Sequence, residues 1–507
     1  MLARVSSAAI LGLEAVGVDI EVDVSSRGLP SFIIVGLADK AVEEAKERIR
    51  SAIVNSGFDF PRHRVIVNLA PANIPKIGTF YDLPMALGIL KASGQLSMPL
   101  KGIFLGELSL NGALRRVNGC LSAALYARKV NFKEIFIPED SSPELTIIRD
   151  LTVYPVSSLK SLLLHFNKAK RISHLEFDEK SLVGHKEAEL DFKDINGQER
   201  AKRALEIAAA GGHNLFFYGP PGAGKTMLAR SLSGIMPSMT ESEILEVTRI
   251  YSVSGSLEEK LVNYRPFRGP HHSVSRVGLI GGGSFPLPGE VSLAHRGVLF
   301  LDELPEFPRH VLEALRQPME DGFVTIARSR GRFSYPAQFT LVAASNPCPC
   351  GFFGDPKQAC RCSVAEISRY QKRLSGPLMD RIDIHVEIPA VPIMKLTQQN
   401  RGKPSSQVRD EVEQARKKQN KRFSSSRLIC NAEMGSREVK KYCQLNNEAW
   451  STLIQASERI ALSARGFYRV IKVARTIADF ADKAVITQDH INEAISFRSK
   501  NFIDRGI

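Results

Sequence analysis

Residues Asn214 to Arg230 read NLFFYGPPGAGKTMLAR: an apolar run, then Gly219, Pro220, Pro221, Gly222, Ala223, Gly224, Lys225 and Thr226, then a helical pattern. This is the spacing G-x-x-x-x-G-K-[ST] in the context that gives it meaning, after a strand and at the opening of a helix. The glycines let backbone N–H groups turn inward around the β- and γ-phosphates of a nucleotide. Lys225 adds a mobile positive charge, and the Thr226 hydroxyl can ligate Mg2+. A Gly-rich turn without function would rarely carry both flanks, so the stretch puts an α/β nucleotide-binding core in the middle of the chain.

Its partner lies at Gly297 to Leu304, GVLFLDEL. Four apolar residues carry Asp302 and Glu303 out at the carboxyl end of a buried strand, where ligands bind in open α/β sheets. Asp302 can hold the Mg2+ shell, and Glu303 can orient and deprotonate an attacking water. Together with the phosphate loop, the pair makes nucleoside triphosphate hydrolysis the leading reading.

The chain has 507 residues, 43% hydrophobic and 24% charged, which is globular material for about three domains. Its net charge of +14 suggests a polyanionic partner. No apolar run reaches membrane-spanning length, and the first residues do not read as a signal peptide. Seven cysteines, four of them crowded together, fit a reducing cytoplasm better than a disulfide framework.

Residues 1–165 read as α+β. Val18–Val24 alternates as a strand with one wet face. Lys40–Asn55 has helical periodicity, Arg64–Leu69 is a strand, and Leu83–Lys91 is a helix. Gly106–Leu114 and Glu134–Pro138 add strand material with a helix between them. The runs IPKIGTFYDLPMALGIL, GELSLNGALRRVNGCLSAAL and EIFIPED resemble the proteolytic domain of Lon-type proteases. That family carries a nucleophilic Ser in the first run and a general-base Lys in the second. The matching places here hold Phe80 and Leu121 to Ala123, with no Lys between Lys101 and Lys129, so the resemblance implies the fold without the peptidase dyad.

Residues 166–190 are polar and read as a linker. Beyond the phosphate loop, Tyr264–Arg276 and Gly281–Glu290 form an insert too rich in Gly and Pro for core, and its Arg265 and Arg268 become candidate DNA contacts only through the family resemblance given below. His271 and His272 lack a nearby second ligand pair, which weighs against a metal there. A helix is expected over Pro308–Glu320. Gly322–Tyr335 reads as a hairpin with Arg328, Arg330 and Arg332 at its tip, suited to phosphate contacts or simply solvated. Gln338–Ser345 is a buried strand that delivers Asn346. Cys348, Cys350, Cys360 and Cys362 follow within fifteen positions, either a tetrahedral Zn2+ site or reduced thiols. Residues 395–428 are basic and polar and read as a connector or mobile arm. The remainder reads as helices.

As a set, GPPGAGKT, RPFRGPHH, GVLFLDELPEF, NPCPCG, GPLMDRIDIH and SARGFYRVIKVARTIADF, behind a Lon-like first domain, resemble the YifB/ComM family of magnesium-chelatase-like AAA+ ATPases. The resemblance implies a multidomain chain: an α+β Lon-protease-like domain (1–165), a linker (166–190), an α/β P-loop AAA+ core (191–394) with a helix-2 insert, a pre-sensor-1 hairpin and a Cys-rich insert at 348–362, a basic connector (395–428) and an all-α lid (429–507). It implies roles too: Asn346 as sensor 1, and Arg381 as an arginine finger acting on the neighbouring subunit's nucleotide, the alternative being a salt bridge to Asp380 or Asp383. Arg465 or Arg469 would be sensor 2, with the choice open. It implies ATP and Mg2+, a hexameric ring and a helicase driving DNA branch migration during natural transformation. The alternative is a chelatase-type motor that remodels a partner protein.

Overall fold

The Leu215–Tyr218 strand is buried at all four positions and feeds directly into the phosphate loop. It is fourth in a five-stranded sheet ordered Phe267–Arg268, Val298–Leu301, Thr340–Ser345, Leu215–Tyr218, Ile384–Glu387, and every pairing is parallel. Parallel strands are covered on both faces, which is why LFFY, VLFL and TLVAAS are near-continuous apolar runs. The register pairs Tyr218 with Ser345 and Leu301 with Ala343. The phosphate loop, Asp302 and Asn346 therefore leave one edge of the sheet together. In this computed structural model the described residues are 2–26, 29–182, 184, 190–283, 286–328, 331–355, 358–391, 402–426 and 428–498.

The amino-terminal region builds a seven-stranded sheet in the order Ser31–Val35, Arg64–Ala70, Glu14–Ser25, Leu2–Leu11, Ile103–Phe104, Glu134–Pro138, Thr152–Val156. The Leu2–Leu11 strand pairs along its whole length with Glu14–Ser25. Helices Lys40–Asn55, Asp82–Ala92 and Cys120–Lys129 pack on it. This region is closely joined to the core. Leu13 lies in the same hydrophobic cluster as Val247 and Ile250 of the Glu241–Ser254 helix. Arg249 donates to Ser122 Oγ at 3.0 Å, and Gly119 N–H donates to Ser252 Oγ at 3.1 Å. Phe80, at the place of the Lon nucleophile, lines an apolar cavity of about 190 Å3 together with Leu287 and Phe333 of the core.

The C-terminal region is helical, with Ser436–Tyr442, Asn447–Arg459, Ala464–Phe480 and Gln488–Ser496. Ala464–Phe480 buries Val470, Ile471, Val473, Ala474, Ile477 and Ala478 in the same cluster as the strand residues Leu215 and Phe217.

Three sequence expectations are corrected. Phe267–Arg268, read as part of an insert, is the edge strand of the core sheet; a strand of two residues between Pro266 and Gly269 carries no readable period. The helix expected over Pro308–Glu320 breaks at Leu315 into Arg309–Ala314 and Arg316–Asp321. Within the expected connector, Ser405–Arg422 is a helix on the core, buried at Val408, Val412 and Ala415. Its buried face also holds Arg416 and Gln419, which donate to the carbonyls of Ala209 and Ala210 at the end of the Glu199–Gly211 helix. Polar side chains serving as caps at core positions obscured the helical stripe.

Candidate nucleotide site

Gly222 and Gly224 have φ of 72° and 90°, a left-handed backbone that glycine adopts without steric cost. Gly224 caps the Lys225–Ile235 helix, so the amino end of that helix, with its free N–H groups, faces the loop. Gly219 is needed for space, because a Cβ there would lie 2.1 Å from the Ile388 carbonyl oxygen.

Lys225 Nζ donates to Gly219 O at 2.8 Å, to Pro220 O at 2.9 Å and to Asn346 Oδ1 at 3.0 Å. Burial lowers the ammonium to about 8 against the pull of Asp302 and Glu303. Thr226 Oγ1 donates to Asp302 Oδ2 at 2.8 Å. Two oxygens so placed, beside a helix amino end, suit a hard divalent cation and the phosphates it bridges. The donor set therefore fits Mg2+ and a nucleoside triphosphate.

Glu303 follows with φ 50° and ψ 46°, a left-handed conformation uncommon outside glycine. Its side chain is 55% exposed, and Oε2 lies 3.6 Å from His272 Nδ1. The sequence did not show this neighbour. His272 leaves the core just after the Phe267–Arg268 edge strand, and that strand was the missing clue. The rings of His271 and His272 lie 4.0 Å apart.

The arginines divide into three groups. Arg381 is 3% exposed, with Nη2 2.7 Å from Glu320 Oε1 and Nη1 donating to Pro377 O at 2.6 Å. The expected structural partner was Asp380 or Asp383; the actual one is Glu320, which also holds Arg465 Nη2 at 2.7 Å. Arg469 pairs with buried Asp383. Burial raises that carboxyl, but Arg469 and His213 outweigh it and bring it down to about 2. Asp383 and Ile384 donate their N–H groups to Asn214 O, ahead of the phosphate-loop strand. All three arginines thus gather at the amino edge of the sheet, a strand length of ~13 Å from the edge that carries the phosphate loop. Arg465, on Glu320, and Arg469, on Asp383, the two candidates for sensor 2, thus both have carboxylate partners within the chain.

Arg328 and Arg332 are exposed near the turn of the Phe323–Arg328 and Gly331–Pro336 hairpin, whereas Arg330 lies outside the described residues. Arg265 is 10% exposed and held by Glu243 at 2.8 Å, Pro237 O and Arg296 O. Arg268 pairs with Glu290 through two bonds of 2.7 and 2.8 Å. Both expected DNA contacts thus have carboxylate partners within the chain, Arg265 buried on Glu243 and Arg268 partly exposed on Glu290.

Among the described residues, one group of three or more candidate ligands can hold a metal: Cys348, Cys350, Cys360 and Cys362, with sulfurs all within 4.8 Å of one another. No described helix is long and apolar enough to cross a membrane.

A buried lysine cradled by a phosphate loop, facing the ends of two neighbouring parallel strands, is the architecture of a P-loop ATPase. The family models narrow this class. "Magnesium chelatase, subunit ChlI" matches residues 191–396, "Subunit ChlI of Mg-chelatase" matches 20–141 and "Magnesium chelatase, subunit ChlI C-terminal" matches 402–498. Competence protein ComM of Haemophilus influenzae is 44% identical over 504 residues, covering 98% of this chain and 97% of its own. YifB of Salmonella typhimurium is 42% identical over 508 residues, covering 99% and 98%. The chain belongs to the YifB/ComM family of magnesium-chelatase-like AAA+ ATPases. Two partial likenesses go with this. Lon protease 2 of Bacillus subtilis is 30% identical over 138 residues, covering 26% of this chain and 25% of its own. The Holliday junction branch migration complex subunit RuvB of Pediococcus pentosaceus is 30% identical over 152 residues, covering 29% and 36%.

Proposed function

We propose that this ATPase is a ring-forming motor on DNA, a cytoplasmic helicase that moves branched DNA junctions during recombination or uptake of foreign DNA. The observation that supports the ring is the separation of Arg381, Arg465 and Arg469 from their own phosphate loop, because an arginine so placed reaches a nucleotide by acting on a neighbouring subunit's site after leaving Glu320 or Asp383. A hexamer, the family's expected assembly, closes that relationship on itself. The DNA reading rests on the exposed hairpin arginines, the net charge of +14 and the likeness to ComM, a competence protein, and to RuvB, a subunit of a Holliday junction branch migration complex.

The loop from Gly219 to Thr226 binds the triphosphate, and Lys225 exchanges its carbonyl partners for phosphate oxygens. Mg2+ on Thr226 and Asp302 would neutralise charge on the β- and γ-phosphates. Glu303 takes the proton of the attacking water. Asn346, bonded to Lys225, orients the γ-phosphate or that water. Arg381 of the adjacent subunit, with Arg465 or Arg469, neutralises charge developing on the γ-phosphoryl group. Turnover then moves the hairpin bearing Arg328, Arg330 and Arg332 along a strand. All seven cysteines are free, in keeping with a reducing cytoplasm, and a structural metal on four of them is compatible with this reading.

A chelatase-type motor that remodels a protein is the second reading. The first domain is compatible with it, because the model for the ChlI subunit of Mg-chelatase matches residues 20–141. Incubation of the purified chain with a labelled four-way DNA junction and ATP separates the two. ATP-dependent conversion of the junction is expected. Intact ATPase activity without conversion would move the assignment to protein remodelling.

A further inference from the structure

Asn346 is followed after one residue by Cys348, and the turn from there passes directly over the phosphate loop. Cys348 Sγ lies 3.4 Å from Cys350 Sγ and 3.6 Å from Cys360 Sγ, and the last two sulfurs are 3.5 Å apart. With Cys362 all four converge within 4.8 Å. Disulfides require about 2.05 Å, so these are not bonded pairs. Four thiolates around Zn2+ at about 2.3 Å stand roughly 3.8 Å apart at the corners of a tetrahedron, close to the separations found. Cys350, Cys360 and Cys362 are only partly buried, so the ligands are accessible to an entering metal.

The turn that closes just after the first cysteine pair touches the nucleotide site. Gly351, at φ 86°, donates to Cys348 O at 3.0 Å and is pressed against the phosphate loop so closely that a Cβ there would lie 2.6 Å from Pro221 Cδ. On its other side the same segment holds Asn346, whose Oδ1 is bonded to Lys225.

We infer that Cys348, Cys350, Cys360 and Cys362 form a tetrathiolate Zn2+ site that clamps the phosphate loop through Gly351 and Pro221 and fixes Asn346 against Lys225. Its effect on turnover rests on the ATPase reading above; its existence does not. Zinc here is structural. It has four protein ligands and no open position, and it sets the geometry of groups that do the chemistry.

The test is metal analysis of the full-length chain purified under reducing conditions, followed by ATPase assays. One zinc per chain is expected. It should be lost in the Cys350→Ser/Cys360→Ser variant and kept in Cys120→Ser, whose thiol is buried elsewhere. Where the double variant fails to fold, Co2+ uptake by the unaltered chain gives a second readout, the thiolate-to-metal absorption of a tetrahedral centre. Stripping the zinc with a reversible thiol reagent should lower turnover roughly tenfold or more, with helix content unchanged, and Zn2+ should restore it. Iron in place of zinc, no metal and no uptake, or zinc retained in the double variant would overturn the site. Turnover indifferent to stripping would overturn the clamp. An inactive chain carrying its full zinc would count against the ATPase reading alone.

Discussion

His272 Nδ1 lies 3.6 Å from Glu303 Oε2, so the base proposed for hydrolysis faces a side chain on the loop that leaves the edge strand of the core sheet. Glu303 also sits in a left-handed backbone conformation that costs roughly 1–2 kcal/mol in a non-glycine residue. Asp302 Oδ1 accepts its N–H at 2.9 Å, and its carbonyl accepts from Glu306 N–H at 2.8 Å, which pins the turn. Movement of the loop that bears His272 would therefore change what the carboxylate faces.

The His272→Ala variant should accordingly keep its basal ATPase rate, or exceed it, while stimulation by DNA falls roughly three- to tenfold. Steady-state turnover with and without DNA reads both quantities. An unchanged stimulation ratio would remove His272 from the coupling.

Glu303→Gln should bind ATP with near-normal affinity and lose turnover by roughly 100-fold or more, the usual contribution of a positioned base. Titration with a fluorescent ATP analogue and a phosphate-release assay check the two halves. Turnover at the normal rate would reassign the base.

Arg381→Ala should abolish hydrolysis by roughly 1,000-fold if the guanidinium acts on a neighbour. Because Arg381 also pairs with Glu320, loss of activity alone could reflect a structural defect. Mixing Arg381→Ala with Lys225→Ala subunits decides the matter. Mixed rings contain interfaces in which one subunit supplies an intact phosphate loop and the other an intact arginine, so partial recovery is expected, and none would contradict action between subunits.

Glu144 joins the first region to the core, accepting from Leu121 N–H and Ser252 Oγ at 2.9 Å each. Burial raises its carboxyl from 4.5 to about 7, despite those bonds and Arg116. The folded chain therefore binds this proton more tightly than the unfolded chain. The stabilisation is full below pH 4.5 and is lost as pH rises toward 7, a change on the order of 3 kcal/mol. Denaturant midpoints at pH 5 and pH 8 should differ less in Glu144→Gln than in the parent chain, and equal differences would refute the assignment.

Much of the nucleotide site was legible because each part ends an apolar run of four to six residues: Tyr218 before the loop, Leu301 before Asp302, Ser345 before Asn346. Strand periodicity and position at the carboxyl edge follow from such runs. Phe267–Arg268 was not legible, since two residues show no period, and with it went the pairing of His272 and Glu303. Arg265 and Arg268 looked like free cations because their acids, Glu243 and Glu290, are 22 residues away in sequence. Glu320 was missed for the same reason: an acid at a helix end gives no sign that two distant arginines converge on it.

Steady-state ATPase activity with and without single-stranded and branched DNA, across a salt series, tests the central claim most directly. A DNA motor whose exposed hairpin arginines meet phosphates predicts stimulation that fades steeply as salt rises, and weaker stimulation in Arg328→Glu/Arg332→Glu. Robust ATPase activity indifferent to every DNA at low salt would contradict it.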